Sequence, residues 1–133
     1  MSLRGDNYEI EVHGRRATAR VWKRPDLDSA EGARNAAAMV AKLTELAASV
    51  DSLVFDLREA PLIAGPRTVD ALGELFSAYE EARARIAVVT TSEPLQTLQF
   101  RRLLSTYAPT MGQLTLSTSE AETWVNAPTS RRQ

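Results

Sequence analysis

The sequence predicts an α/β domain with a mostly parallel, five-stranded sheet, an N-terminal antiparallel hairpin and helices on the sheet faces. Residues 8–22 alternate between apolar and polar side chains, as half-buried strands do. Beyond them, short apolar runs at 52–57 and 85–91 alternate with helical apolar periodicity. That alternation favours parallel strands joined by crossover helices. The predicted element order is β-β-α-β-α-β-α-β-α.

The alternating segment divides into two strands, 8–13 and 17–22, at Gly14-Arg15. Glycine at the first turn position suits a two-residue type II′ hairpin. This turn places Glu9 opposite Arg20, an opposite-charge cross-strand pair. We therefore expect the hairpin to lie beside two central parallel strands.

Apolar residues recur at helical spacing in 29–49, 66–83 and 93–107, and a short last helix is predicted at 119–125. Gly65 is the predicted cap of the second helix, since the proline that follows it suits a first helical turn. A weakly alternating segment at 113–117 is predicted to be an edge strand.

The chain has 133 residues, which fits one domain, predicted at 8–126 with flexible segments at 1–7 and 127–133. With 44% hydrophobic and 25% charged residues it has the composition of a globular protein. The net charge of −1 argues against a nucleic-acid partner.

The chain contains no cysteine, so it has neither disulfides nor thiolate metal ligands. The N-terminus lacks the apolar core of a signal peptide, and no apolar run is long enough to insert into a membrane. We expect a cytoplasmic protein without a cofactor.

Three segments carry a family resemblance. "PDLDSAEGAR" (25–34) is similar to a Gly-Glu-Leu-Asp start of a first helix, and "LVFDLREAPLI" (53–63) to a strand ending in Asp-Leu. "LTLSTSEAETWV" (114–125) is similar to a last strand and closing helix. In this order, over roughly residues 8–126, they resemble the STAS domain of bacterial anti-sigma factor antagonists. The resemblance implies a non-enzymatic regulatory domain that binds another protein.

The loop after the strand 52–57 departs from that family. In the phosphorylated members, Asp-Leu is followed at a fixed interval by Asp-Ser-Ser-Gly, and a kinase modifies one serine. The same interval from Asp56 falls on Ala64-Gly65-Pro66-Arg67. Thr68 is the nearest hydroxyl and a candidate phosphoacceptor, although a first-turn threonine more commonly bonds the local backbone. We expect no phosphorylation of this loop by a serine kinase of the anti-sigma type.

Other chemistry-bearing residues have structural interpretations. Asp56 lacks the acidic cluster and the lysine that receiver-type phosphorylation needs, so it is expected to bond backbone amides. His13 has no adjacent partner for catalysis and is expected to be solvated on an edge strand. Trp124 is expected to pack against the sheet, and the exposure of Trp22 stays open.

The favoured site is a partner-binding loop with the N-terminal half of the helix that follows it. Its residues are Arg58, Leu62, Ile63, Gly65, Arg67 and Thr68. Consecutive side chains of an extended chain point to opposite sides, so at least one of Leu62 and Ile63 should be exposed. A basic rim of Arg101, Arg102 and Lys23-Arg24 would flank the loop or be solvated. No metal site is predicted.

Two classes of function stay open. The first is docking to a protein, such as a kinase, an anti-sigma factor or another signalling component, or to a second copy of the chain as a homodimer. The second is binding of a small molecule or lipid, which needs a cavity lined by Leu62, Ile63, Phe76 and Phe100. The cavity discriminates between them, because a docking domain does not require one.

Overall fold

The computed structural model of the chain describes residues 1–26, 28–61 and 65–127. Within them the strands are β1 (Ser2–Arg4), β2 (Tyr8–His13), β3 (Arg16–Trp22), β4 (Ser52–Glu59), β5 (Arg85–Val89) and β6 (Gly112–Thr115). The helices are α1 (Ser29–Leu46), α2 (Pro66–Ala82), α3 (Pro94–Tyr107) and α4 (Thr118–Asn126). The predicted element order is confirmed, with one strand added at its start.

These strands form one sheet in which they lie side by side in chain order. β1, β2 and β3 pair antiparallel, whereas β3, β4, β5 and β6 pair parallel. The α/β class, the N-terminal hairpin and the inner parallel strands β4 and β5 are therefore confirmed.

The sheet has six strands, not the five predicted. The additional strand β1 lies within residues 1–7, which the sequence assigned to a flexible segment. Leu3 pairs with Ile10 across the β1–β2 ladder, and the N-terminal ammonium group donates a hydrogen bond of 3.1 Å to the carbonyl oxygen of Val12. A strand of three residues is too short to show alternation. Hydrogen bonds to β2 hold β1 in the sheet. With β1 in place, β2 is not an edge strand.

The predicted hairpin register is confirmed. Glu9 lies opposite Arg20, and the Nη2 atom of Arg20 donates to the Oε1 atom of Glu9 at 3.4 Å. Gly14 has a φ of 63°, a left-handed conformation that glycine adopts without steric cost. The turn residue therefore fixes which side chains of β2 and β3 face the core.

The two faces of the sheet are covered unequally. Helices α1, α2 and α3 pack on one face, where the main core contains Ile10, Phe55 and Phe76. Helix α4 packs on the other face through Ala121, over Val54, Ala87 and Val89 of β4 and β5. That face carries charged side chains over β2 and β3, where no described helix covers it.

Each helix begins at a defined cap. Asp28 and Glu31 form a reciprocal capping box at α1, and Gly65 precedes Pro66 at α2 as predicted. Ser117 caps α4, which begins at Thr118, one residue before the start that the sequence predicted. None of these helices is both long and apolar enough to cross a bilayer, over the residues described.

Candidate ligand-binding cleft

A cleft opens between α1 and α2 beside the carboxyl end of β4. Its walls are made of short side chains: α1 contributes Ala33 and Ala36, and α2 contributes Thr68 and Ala71. Farther along both helices, the buried Tyr79 hydroxyl donates to the Leu43 carbonyl oxygen at 2.9 Å. The helices are thus held together at one end, and the small residues leave space between them at the other.

The first cavity of the cleft, the inner pocket, has a volume of about 440 Å³. Its wall is mostly apolar and includes Val21, Met39, Phe55, Leu57, Leu72 and Phe100. Small-molecule sites typically occupy roughly 300–1,000 Å³ and combine an apolar wall with a few polar groups. The inner pocket has both features.

Asn7 is one of the polar residues on the wall of the inner pocket. Its side-chain oxygen is buried and accepts no hydrogen bond from the described residues. A buried acceptor without a donor typically costs roughly 1–3 kcal/mol. This oxygen has almost no accessible surface, so Asn7 contributes to the pocket wall through its other atoms.

The second cavity, the outer groove, has a volume of about 310 Å³ and lies on the solvent side of the same two helices. It shares Ala33, Ala36, Val40 and Thr68 with the inner pocket, so the two cavities adjoin. Arg34 of α1 and Arg67 of α2 line the groove, and both are exposed. The cleft is therefore apolar inside and cationic at this opening.

Three residues of the predicted partner-binding loop line this cleft. Gly65 borders the inner pocket, Arg67 borders the outer groove and Thr68 borders both. Leu62 and Ile63 lie outside the described residues. Phe100 lines the inner pocket as predicted for a binder, whereas Phe76 is fully buried in the core and is not part of the pocket wall.

Arg58 does not belong to the cleft. β4 continues to Glu59, so Arg58 is a strand residue on the sheet face opposite to Leu57. Its Nη2 atom donates to the Oδ2 atom of Asp56 at 2.7 Å, and its Nε atom donates to Oδ1 at 3.0 Å. The arginine is held on the outer face of the sheet, away from Arg67.

Asp56 is bound by its neighbour on the same strand. Partial burial raises the pKa of its carboxyl group, but hydrogen bonds from the Arg58 guanidinium and backbone amide outweigh burial and leave the pKa below its usual range. The predicted bond to a backbone amide is present, at 3.1 Å from the Arg58 nitrogen. This arrangement keeps the Asp56 carboxyl group ionised, and the Arg58 guanidinium balances its charge.

The other sequence candidates lie elsewhere. His13 is exposed beside Glu11, with 3.5 Å between its Nε2 atom and the Oε1 atom of the glutamate. Trp22 is half-buried, and the guanidinium groups of Arg4 and Arg20 lie 5.9 and 4.9 Å from its ring centroid. In the part of the chain that the structure describes, no group of three or more His, Asp or Glu side chains is arranged to hold a metal ion.

Trp124 lies where the sequence predicted, whereas the arginines of the predicted basic rim lie in different surroundings. Trp124 packs against the smaller core as expected, and its indole nitrogen donates to the Met111 carbonyl oxygen at 3.0 Å. The predicted basic rim is divided: Arg24 pairs with Asp26, whereas Arg101 and Arg102 are exposed on α3. Arg102 borders a groove with Val69 of α2.

The sequence interpretation did not identify Asn7, Arg34 or Met39 as cleft residues. The sequence feature that could have indicated the cleft is the segment "AEGARNAAAMVA" (30–41). There alanine and glycine occupy positions that a packed helix usually fills with larger side chains. Such a small-residue face predicts either close helix packing or a gap, and only the position of α2 decides between them. Asn7 precedes the first predicted strand and gives no pattern of its own.

No protein-family model, curated protein or solved structure matches this chain. The STAS resemblance therefore depends on the sequence motifs alone.

Proposed function

We propose that this chain is a non-enzymatic binding domain that takes a small, largely apolar molecule into the inner pocket. The apolar 440 Å³ cavity carries this proposal. An apolar ligand gains roughly 25 cal/mol for each Å² that it removes from water.

Decanol, an uncharged alkyl chain with one hydroxyl group, is a suitable probe. We expect saturable binding by calorimetry, with ¹H–¹⁵N shift changes concentrated at Ala36, Thr68 and Leu72. Replacing Ala36 with phenylalanine should fill the cleft and weaken decanol binding at least about tenfold. The ring enters existing space, so thermal stability should change little.

Ala38→Phe is the matched control, because Ala38 is exposed on the same helix and lines neither cavity. It should bind decanol like the unmodified protein. Absence of saturable decanol binding, or equal binding by the two phenylalanine variants, would contradict the proposal.

A STAS-like docking function is the second candidate, and an exposed apolar groove between α2 and α3 supports it. Leu95 and Leu98 are 55% and 51% exposed and lie three positions apart on α3. Val69 of α2 and Arg102 of α3 border the same groove. Charge complementarity favours a partner segment with apolar side chains and an acidic rim.

Replacing Leu98 with aspartate should abolish capture of such a partner, because a central apolar contact contributes about 2 kcal/mol or more. Leu116→Asp is the control, since Leu116 is similarly exposed (50%) and does not line the groove. The captured protein's acidic segment, made as a peptide, should bind the Leu98→Asp variant at least about tenfold more weakly. A loss of self-association alone would instead identify a second copy as the occupant.

A further inference from the structure

The outer groove carries two arginines whose charges no described residue neutralises. Arg34 and Arg67 have no carboxylate within ion-pair distance among the described residues, although both line the same groove. By contrast, Arg58 is paired with Asp56, and Arg15 with Asp51 at 3.0 Å. Two unpaired guanidinium groups at one opening favour an anionic ligand.

The arginines lie at one end of a continuous apolar space. The groove adjoins the inner pocket through Ala36, Val40 and Thr68, which line both cavities. A molecule that spans the two cavities would place its apolar part against the core and its charged part at Arg34 and Arg67. Neither the pocket alone nor the arginines alone would select such a molecule.

We propose that the ligand is a free, single-chain amphiphile with a carboxylate head group, bound with its alkyl chain in the inner pocket and its head between Arg34 and Arg67. This inference rests on the proposed function and specifies its ligand. The planar guanidinium group donates two parallel hydrogen bonds to a carboxylate, which lysine cannot do. One apolar pocket beside one cationic groove fits one chain and one head.

A membrane surface is the less suitable source of such a head group. The chain has a net charge of −1, which gives no general attraction to anionic bilayers. The arginines also border a groove between two helices rather than an extended basic face. We therefore expect the free amphiphile, not a bilayer, to be bound.

The test compares decanoate with decanol, which share a chain length and differ in the head group. The unmodified protein should bind decanoate at least about tenfold more tightly than decanol. Arg34→Gln and Arg67→Gln should each weaken decanoate binding about tenfold and leave decanol binding unchanged. Added salt should weaken only decanoate binding.

Arg101→Gln is the control, because Arg101 is exposed on α3 and lines neither cavity of the cleft. Equal affinity for decanoate and decanol, or an equal effect of all three arginine variants, would overturn the assigned head group while leaving the proposed pocket intact. Failure to bind either decanoate or decanol would overturn both the assigned head group and the proposed pocket. Co-sedimentation with phosphatidylglycerol vesicles without decanoate binding would overturn the choice of a free ligand.

Discussion

Replacing Gln96 with methionine is expected to lower the free energy of unfolding by about 2–3 kcal/mol. Gln96 is fully buried in the first turn of α3. Its Nε2 atom donates to the Leu57 carbonyl oxygen at 3.2 Å, and its Oε1 atom accepts from the Thr91 backbone nitrogen at 3.0 Å. Methionine has a similar shape but offers neither bond, so it leaves buried backbone groups unsatisfied.

The Gln96 contacts also shape the inner pocket. The bond to Leu57 joins the start of α3 to the carboxyl end of β4, and Leu57 and Phe100 on these elements both line the pocket. The variant should therefore bind decanol more weakly as well as unfold more easily. Chemical denaturation monitored by circular dichroism gives the stability, and calorimetry gives the affinity.

Gln113→Met is the control for this substitution. Gln113 is exposed on β6, so its replacement should change the free energy of unfolding by no more than about 0.5 kcal/mol. Equal stability of the Gln96→Met and Gln113→Met variants would show that the buried amide is not required to hold α3 against β4.

The hairpin and the parallel strands were predictable because their patterns are local. The alternation of residues 8–22 and the glycine at the turn determine the β2–β3 register, and the cross-strand pair Glu9–Arg20 follows from them. The apolar runs identify β4 and β5 for the same reason. β1 was missed because a three-residue strand has too few positions for any pattern.

The candidate site was predictable only in part. Arg58 was assigned to the loop because the apolar run ends at Leu57, but β4 continues for two more residues. Since neighbours on a strand face opposite sides, this continuation moves Arg58 to the other face of the sheet. Arg67 and Thr68 were found because they follow a recognisable helix start. Arg34 joins them only through the packing of α1 against α2, which no local pattern encodes.

Replacing Thr68 with glutamate is expected to weaken decanoate binding about 100-fold and decanol binding about tenfold. Thr68 is half-buried and lines both cavities, so the new carboxylate would enter the apolar passage between them. It would repel the decanoate head and compete for Arg34 and Arg67. Decanol carries no charge, so its binding is weakened only because the hydrated glutamate carboxylate must be displaced from the passage.

The variant should remain folded, because position 68 is the third residue of α2, where a negative side chain interacts favourably with the helix N-terminus. Thr68→Val keeps the volume without the charge and should bind both probes like the unmodified protein. A phosphate on Thr68 would introduce a larger negative charge at the same point, and modification there would then act by excluding the ligand. If Thr68→Glu instead binds decanoate as tightly as Thr68→Val does, the amphiphile does not pass between the two helices at this residue.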